Sequence, residues 1–497
     1  MNRSSFIMRH MKRILFLLIP FLLFSCRSGD RFAYKKAYLQ HWENVNQIHS
    51  DIKGFVNDFT EGRLSGSRGY DRAAEYAAFQ LEQAGLLPPP FLEHFYQYYS
   101  LEAPSLESAV KASLSGIPLK HGVDFAIALT SEGTSLSQAP LVFVGYGFAE
   151  GSGPLNEYLN CDVTGKIVIL LHDIPAHALS HHPQYSVPAY RAYIAKNRGA
   201  LGVVFVDTEA QTAAECRNFS YIPSGLDLKN FPQLIAGRSF LMKLLQREGI
   251  DLIAVKNDID RSRVHFPLDF ESRLNLDFTM VWGNKRTTNV IGYLPAAPHI
   301  SSPRNIVITA SLDGLGQQSD DLVYESAVFN ASGAVTALNL ARLAAALPPE
   351  ARKSNIYFVF LSGSHQGYKG AVELRESLFF DSFNTRIFIS LDSTGSFRPV
   401  LHIEGGLDHP ALTRLLEEAQ MELSYGLSLT MSKGTFGEGQ IFSPLGIPSL
   451  YIRGEAGPER NTMNDRSTLI DDKTIGRNVR LLFFAFFDLF YDKSRLK

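Results

Sequence analysis

Between residues 286 and 491, apolar runs of strand length alternate with longer amphipathic stretches, and this alternation limits the fold more than any other feature of the chain. Residues 305–310, 355–362, 386–391 and 449–452 read as strands, and residues 334–347 and 475–491 as helices. Such alternation predicts an α/β fold, a three-layer sandwich around a mainly parallel sheet. Open sheets of that kind place ligands at the carboxyl ends of their strands, so the residues just after these runs are the first place to look for chemistry.

Two further regions precede this one. Residues 47–87 have a helical pattern, with Ala73, Ala74, Tyr76, Ala77, Phe79, Leu81 and Ala84 on a broad apolar face. The glycine-rich segment Glu61-Gly-Arg-Leu-Ser-Gly-Ser-Arg-Gly-Tyr70 leads into that face, and Gly85 followed by Pro88-Pro89-Pro90 ends it. From about residue 104 short apolar runs return at 141–147, 166–171 and 202–207, with a helix-like stretch at 189–198. Continuous apolar runs imply cover on both faces, so this reads as a smaller, separate α/β module. The 497 residues therefore divide into 1–26, 27–104, 105–260 and 261–497, the module being inserted between two parts of the larger domain.

Residues 1–26 carry Arg3, Arg9, Lys12 and Arg13, then an apolar run at 14–24, then Ser25-Cys26. A basic start, a short apolar stretch and a small residue form an export signal. The apolar run is shorter than the roughly 20 residues that span a bilayer. Leu23-Phe24-Ser25-Cys26 resembles a lipoprotein processing site, which predicts Cys26 as the lipidated residue and a chain held at a bacterial membrane, on its periplasmic or outer-membrane face. With a net charge of -2 and no long run of one sign, the chain lacks the basic footprint of a nucleic-acid binder. A peptide or protein of the envelope is the expected partner. Cys161 and Cys216 are the remaining cysteines; they form one bridge or stay two thiols, and spacing does not decide between these.

Three segments of the last region resemble the family-28 metallopeptidases, zinc aminopeptidases and glutamate carboxypeptidase-like enzymes: Thr309-Ala-Ser-Leu-Asp-Gly-Leu-Gly316, Ala327-Val-Phe-Asn-Ala-Ser-Gly333 and Phe360-Leu-Ser-Gly-Ser-His-Gln-Gly367. Residues 61–87, 286–295 and Gly446-Ile-Pro-Ser-Leu450 extend the likeness. The middle module resembles the protease-associated domain often inserted in such enzymes, from Pro140-Leu-Val-Phe-Val-Gly-Tyr-Gly147 to Gly199-Ala-Leu-Gly-Val203. The resemblance implies a zinc-peptidase-like fold and a two-metal centre.

It also implies which residues should hold the metals, and most of them differ here. Ser311 stands where the first histidine belongs, two residues before Asp313, which in the family orients that histidine. Phe329 takes the place of the bridging aspartate. Ser364 and His365 take the places of the general-base and ligand glutamates, and Asn461 that of the last histidine. Asp392 alone matches its ligand position. Without bound metal there is no hydroxide at neutral pH, since free water has a pKa near 15.7 and metal-bound water about 7. The expectation is a peptidase fold that binds without hydrolysing and needs no cofactor. The alternative is a working zinc exopeptidase with a rearranged site built on His365, Asp392 and Asp313 or Glu325. Ser364 and His365, adjacent on an apparent strand end, would diverge and so make no nucleophile and base pair. His172, His177, His181 and His182 crowd one stretch of the middle module and read as a solvated loop.

Overall fold

The computed structural model describes residues 33–492, apart from 43–46, 151–155, 176–178, 181, 220–221, 223–224, 263–266, 378–379, 381–382 and 456. Cys26 and its signal segment lie outside the described residues, as do His177 and His181. Among the described residues no helix is long and apolar enough to cross a membrane.

β14 (Asn355–Leu361), β11 (Asn305–Ser311), β15 (Thr385–Asp392) and β18 (Ser449–Gly454) lie side by side in that order, all parallel. β10 (Met280–Leu294) and β1 (Tyr96–Leu106) extend the sheet on one side, antiparallel; β16 (Val400–Glu404) and β17 (Ser428–Ser432) complete it on the other. Successive side chains of a strand face opposite ways. Accordingly Ile306, Ile308 and Ala310 enter one apolar cluster, and Val307 enters another on the reverse face. This two-sided burial is why the strands read as unbroken apolar runs.

One face is covered by α2 (Ile48–Phe55), α3 (Arg68–Gln83), α7 (Ser332–Ala345) and α11 (Asp472–Phe490), with α1 (Ala33–Trp42) and α9 (Pro410–Leu423) packed on α11. The other face carries α8 (Lys369–Glu376) and α10 (Gly439–Phe442), where Phe442 stacks on Phe388 with ring centroids 4.1 Å apart. The expected three-layer sandwich is the observed fold.

The 47–87 pattern is interrupted rather than continuous. α2 stops at Phe55, and the Asn57 side chain accepts from Phe59 and Thr60 N–H to start a tight turn at Asp58–Arg63. Gly62 has a φ of +68°, and a Cβ there would sit 2.4 Å from the Tyr324 carbonyl oxygen, so only glycine fits. Ser67 then caps α3, whose buried stripe is Tyr70, Ala73, Ala74, Ala77, Ala78 and Leu81. Phe79, expected on that stripe, points outward and is 55 % exposed.

The second sheet has the order β3 (Ile117–Leu119), β2 (Lys111–Leu114), β9 (Leu268–Phe278), β5 (Thr134–Gly145), β6 (Ile167–Leu171), β7 (Gly202–Val206), β8 (Gln233–Ala236) and β4 (Phe125–Ile127). α4 (Pro188–Asn197), α5 (Arg238–Glu248) and α6 (Leu252–Ser262) pack around it. The chain leaves the first sheet at the end of β1 and returns at the start of β10, where Leu106 pairs with Met280. The inserted unit is thus residues 107–279, and the expected boundary at 260 is corrected: β9 pairs with β5 and β2. β9 buries only alternate residues, so it lacks the unbroken apolar run that marked its neighbours. A hairpin of β12 (Gly316–Ser319) and β13 (Leu322–Tyr324) joins the two units: Leu322 and Tyr324 enter the second core, and Asn218 donates to the Tyr324 hydroxyl at 3.1 Å.

Cys161 and Cys216 are both free thiols, the first half-buried and the second buried. Burial pushes both thiols up, Cys161 to about 11.

Candidate functional site

The carboxyl ends of β11, β14 and β15 bring the residues singled out in the sequence into one cleft. Asp313 follows β11 and is fully buried. Its Oδ2 accepts from the Ser65 hydroxyl at 3.0 Å and from the Ser364 N–H at 2.9 Å, tying the β11 and β14 loops to the glycine-rich segment before α3. Burial lifts its carboxyl to about 6, against the pull of the Ser364 and Ser65 hydrogen bonds. Ser364 and His365 stand in a turn beyond β14, not on a strand end as expected, because the strand stops at Leu361. The Ser364 hydroxyl accepts from the Asn330 amide at 3.1 Å.

Asp392 closes β15, and three donors occupy it: the Tyr451 hydroxyl at 2.6 Å on Oδ2, with the Ser393 hydroxyl at 3.0 Å and the Asn330 N–H at 3.3 Å on Oδ1. Its carboxylate is satisfied by the protein itself. Glu325, the other carboxylate weighed for a rearranged site, accepts from Ser467 N–H at 2.8 Å.

Phe329 occupies the middle of this arrangement. The Arg460 guanidinium lies 3.9 Å from its ring centroid, and the His365 ring meets it edge-on at 5.7 Å. A cation over an aromatic face is attracted by the ring quadrupole. The next residue, Asn330, has φ +74° and ψ -63°, a strained conformation held by its amide donating to the Asp313 carbonyl oxygen at 2.6 Å and to Ser364. Asp465 fixes the preceding backbone, accepting from Val328 N–H at 2.7 Å and Phe329 N–H at 3.1 Å. Burial raises the Asp465 carboxyl to about 7 despite those bonds. The cavity left beside Phe329 is about 20 Å³, room for a water.

His365 is 7 % exposed, and burial, helped by Arg460, lowers its imidazole to about 3, so the ring is neutral. Its Nε2 has no hydrogen-bond partner, nor has the Asn461 side-chain oxygen. Asn461 adopts φ +62°, and its carbonyl oxygen accepts from Asn218 N–H at 2.8 Å, so the inserted unit holds this loop.

Four participants escaped the sequence reading as site residues. Glu438 is buried, clasped by the Ser311 hydroxyl and by the Ser390 hydroxyl at 2.6 Å, and burial raises its carboxyl. Tyr451 and Arg460 meet Asp392 and Phe329 as described. Arg63 is fully buried and donates to the carbonyl oxygens of Leu312, Phe55 and Ser326 at 2.8, 2.9 and 2.8 Å. Burial lowers its guanidinium to about 10, countered by Asp313, Asp465 and Glu325. The only sequence signal for Glu438 was a carboxylate between Gly437 and Gly439 shortly before a strand.

A two-zinc centre does not fit this donor set. Among the described residues the cleft holds no three His, Cys, Asp or Glu side chains whose ligand atoms lie within 4.8 Å of one another. The Arg460 guanidinium lies over Phe329, the residue that takes the place of the bridging aspartate in the resemblance. In the inserted unit, His172 corrects the expected solvated loop. It is 5 % exposed and packs near the rings of Phe205 and Phe219, because it directly follows β6. His182 is half-buried.

The layered parallel sheet with its strand-end cleft defines an α/β sandwich of the zinc-peptidase type. Residues 289–485 match the family model for peptidase family M28. The fold is similar to that of an aminopeptidase from Aneurinibacillus sp. strain AM-1, at 17 % identity and a TM-score of 0.62, covering 93 % of this chain and 98 % of that one. A zinc aminopeptidase from Bacillus subtilis matches at 16 % identity and a TM-score of 0.59, covering 90 % of this chain and 96 % of that one. A peptidase M28 precursor from Shewanella amazonensis matches at 14 % and 0.63, covering 93 % and 97 %. No curated protein sequence matches the chain.

Proposed function

We propose that the chain is an exported, lipid-anchored protein of the bacterial envelope that uses an M28 peptidase fold to bind a peptide or protein without hydrolysing it. Cys26 carries the lipid, residues 107–279 act as a protease-associated domain, and neither nucleic acid nor a cofactor in the Phe329 cleft takes part. The observation that carries the reading is Phe329. An apolar ring donates no ligand, it stands against His365 at 5.7 Å, and Arg460 covers it at 3.9 Å. The surviving carboxylate, Asp392, has its hydrogen bonds made within the protein. Between the two sheets a groove of about 1010 Å³, lined by Glu102, Thr130, Leu226, Trp282 and Lys369 among others, offers room for an extended peptide.

The unpartnered Nε2 of His365 supports the second reading, a zinc exopeptidase with a rearranged site. Hydrolysis of aminoacyl and carboxy-terminal peptide substrates, with and without added zinc, separates the two. No turnover above buffer is expected. Zinc-dependent turnover abolished by Asp392→Asn and by His365→Ala would replace the binding reading with the enzymatic one. Mass spectrometry of the mature amino terminus tests the anchor: acyl chains on Cys26 are expected, and an unmodified chain released by an ordinary signal cleavage would remove that part.

A further inference from the structure

In the inserted unit Leu171 and Val206 are paired at the ends of the parallel strands β6 and β7, and the residues that follow them are His172, Asp173 and Asp207. One ligand atom from each lies within 4.8 Å of the other two. His172 is almost wholly buried, and its ring is fixed from behind: Nε2 stands 3.0 Å from the carbonyl oxygen of Arg217, a group that can only accept. In a neutral imidazole the proton is therefore on Nε2, and the Nδ1 lone pair faces outward. What it faces is Asp173 Oδ1 at 3.0 Å, another acceptor. Two acceptors that close require a cation, either a proton or a metal.

The surroundings favour a metal. Asp207 is held by the N–H groups of Glu209 and Ala210 at 2.8 and 3.2 Å, both on Oδ1. Of the other charged groups lining the same cavity, Lys256 pairs with Asp260 at 2.8 Å, and Glu209 pairs with Arg238 outside it at 3.8 Å. Arg191 beneath them donates to the carbonyl oxygens of Leu171 and His172. Among the described residues no Lys or Arg nitrogen lies within 4.0 Å of the Asp173 or Asp207 carboxylates. A carbonyl holding the far ring nitrogen is also how metal-binding histidines are generally oriented.

We propose that His172, Asp173 and Asp207 form a site for a divalent cation of the zinc or manganese class. One imidazole nitrogen suits zinc and two carboxylate oxygens suit either zinc or manganese. The remaining coordination positions open on a cavity of about 300 Å³, where water or an anionic group completes the shell. The site lies on the second sheet and is independent of the reading of the Phe329 cleft.

The test is elemental analysis of the full chain in detergent, stripped with chelator, equilibrated with zinc or manganese and passed through gel filtration. The wild type is expected to keep about one ion per chain. His172→Ala and Asp207→Asn, shown folded by circular dichroism, fall to the stripped background, whereas His365→Ala and Asp392→Asn keep the ion. Asp207→Asn retains the oxygen that receives Glu209 and Ala210, so it removes charge without removing the turn. A wild type that keeps neither ion would mean that a proton closes the His172–Asp173 contact, and the proposal fails. Retention by both His172→Ala and Asp207→Asn, with loss in His365→Ala, would place the metal in the cleft and equally refute it.

Discussion

Asp465→Asn should flatten part of the chain's stability profile between pH 5 and 8. The buried Asp465 carboxyl sits at about 7, against an ordinary 3.8, because its surroundings exclude water more than the Val328 and Phe329 N–H groups stabilise its charge. A raised carboxyl pKa means the folded state binds the proton more tightly than the unfolded chain does. The stability it contributes is complete below about pH 4 and is lost as pH rises through about 7. At about 1.4 kcal/mol per pH unit, the stretch from pH 5 to 7 amounts to about 3 kcal/mol. Asparagine does not titrate and still offers one acceptor to the Val328–Phe329 backbone. Chemical denaturation of wild type and variant at pH 5 and pH 8 isolates the effect, because other raised carboxyls, including Asp313 at about 6, are common to both chains. The variant should lose less stability than the wild type across this interval, by up to about 3 kcal/mol. Parallel stability curves would refute the burial argument for Asp465.

Arg63→Met leaves the buried carbonyl oxygens of Leu312 and Phe55 without donors and that of Ser326 with only the Ala331 N–H at 3.3 Å, and should destabilise the fold by about 3–5 kcal/mol in denaturant titration, with Arg63→Lys intermediate. Gly333→Ala places a Cβ 2.4 Å from the Leu391 carbonyl oxygen, forcing α7 off the end of β15, and should lower stability by about 1–3 kcal/mol as read by thermal melting. In a Cys26→Ala chain, thiol reagent at pH 8 should react slowly with the native protein and reach two equivalents only in denaturant without reductant, since burial raises both Cys161 and Cys216. A disulfide between them would give none.

The four central strands and the two long helices after residue 286 were legible because a sheet covered on both faces writes itself as unbroken apolar runs. β9 and β17 were not legible, since strands with a polar face alternate and resemble loops or weak helices locally. The break within residues 47–87 was hidden for a related reason: Gly62 matters through Tyr324 and Gly316, which lie far along the chain.

The same division runs through the site. Sequence alone determined that Ser311, Phe329, Ser364, His365 and Asn461 stand in segments resembling metal-binding ones, because residue identity and short motifs are local properties. Only the tertiary structure decided what surrounds them. Arg460 over Phe329, Glu438 between Ser311 and Ser390, and His172 with its Nδ1 turned toward Asp173 are all juxtapositions across separate strand ends. Burial and hydrogen bonding set by that packing are what move Asp465 up, move His365 down and satisfy Asp392. They depend on which groups the folded chain brings within a few ångströms, and no local pattern encodes that.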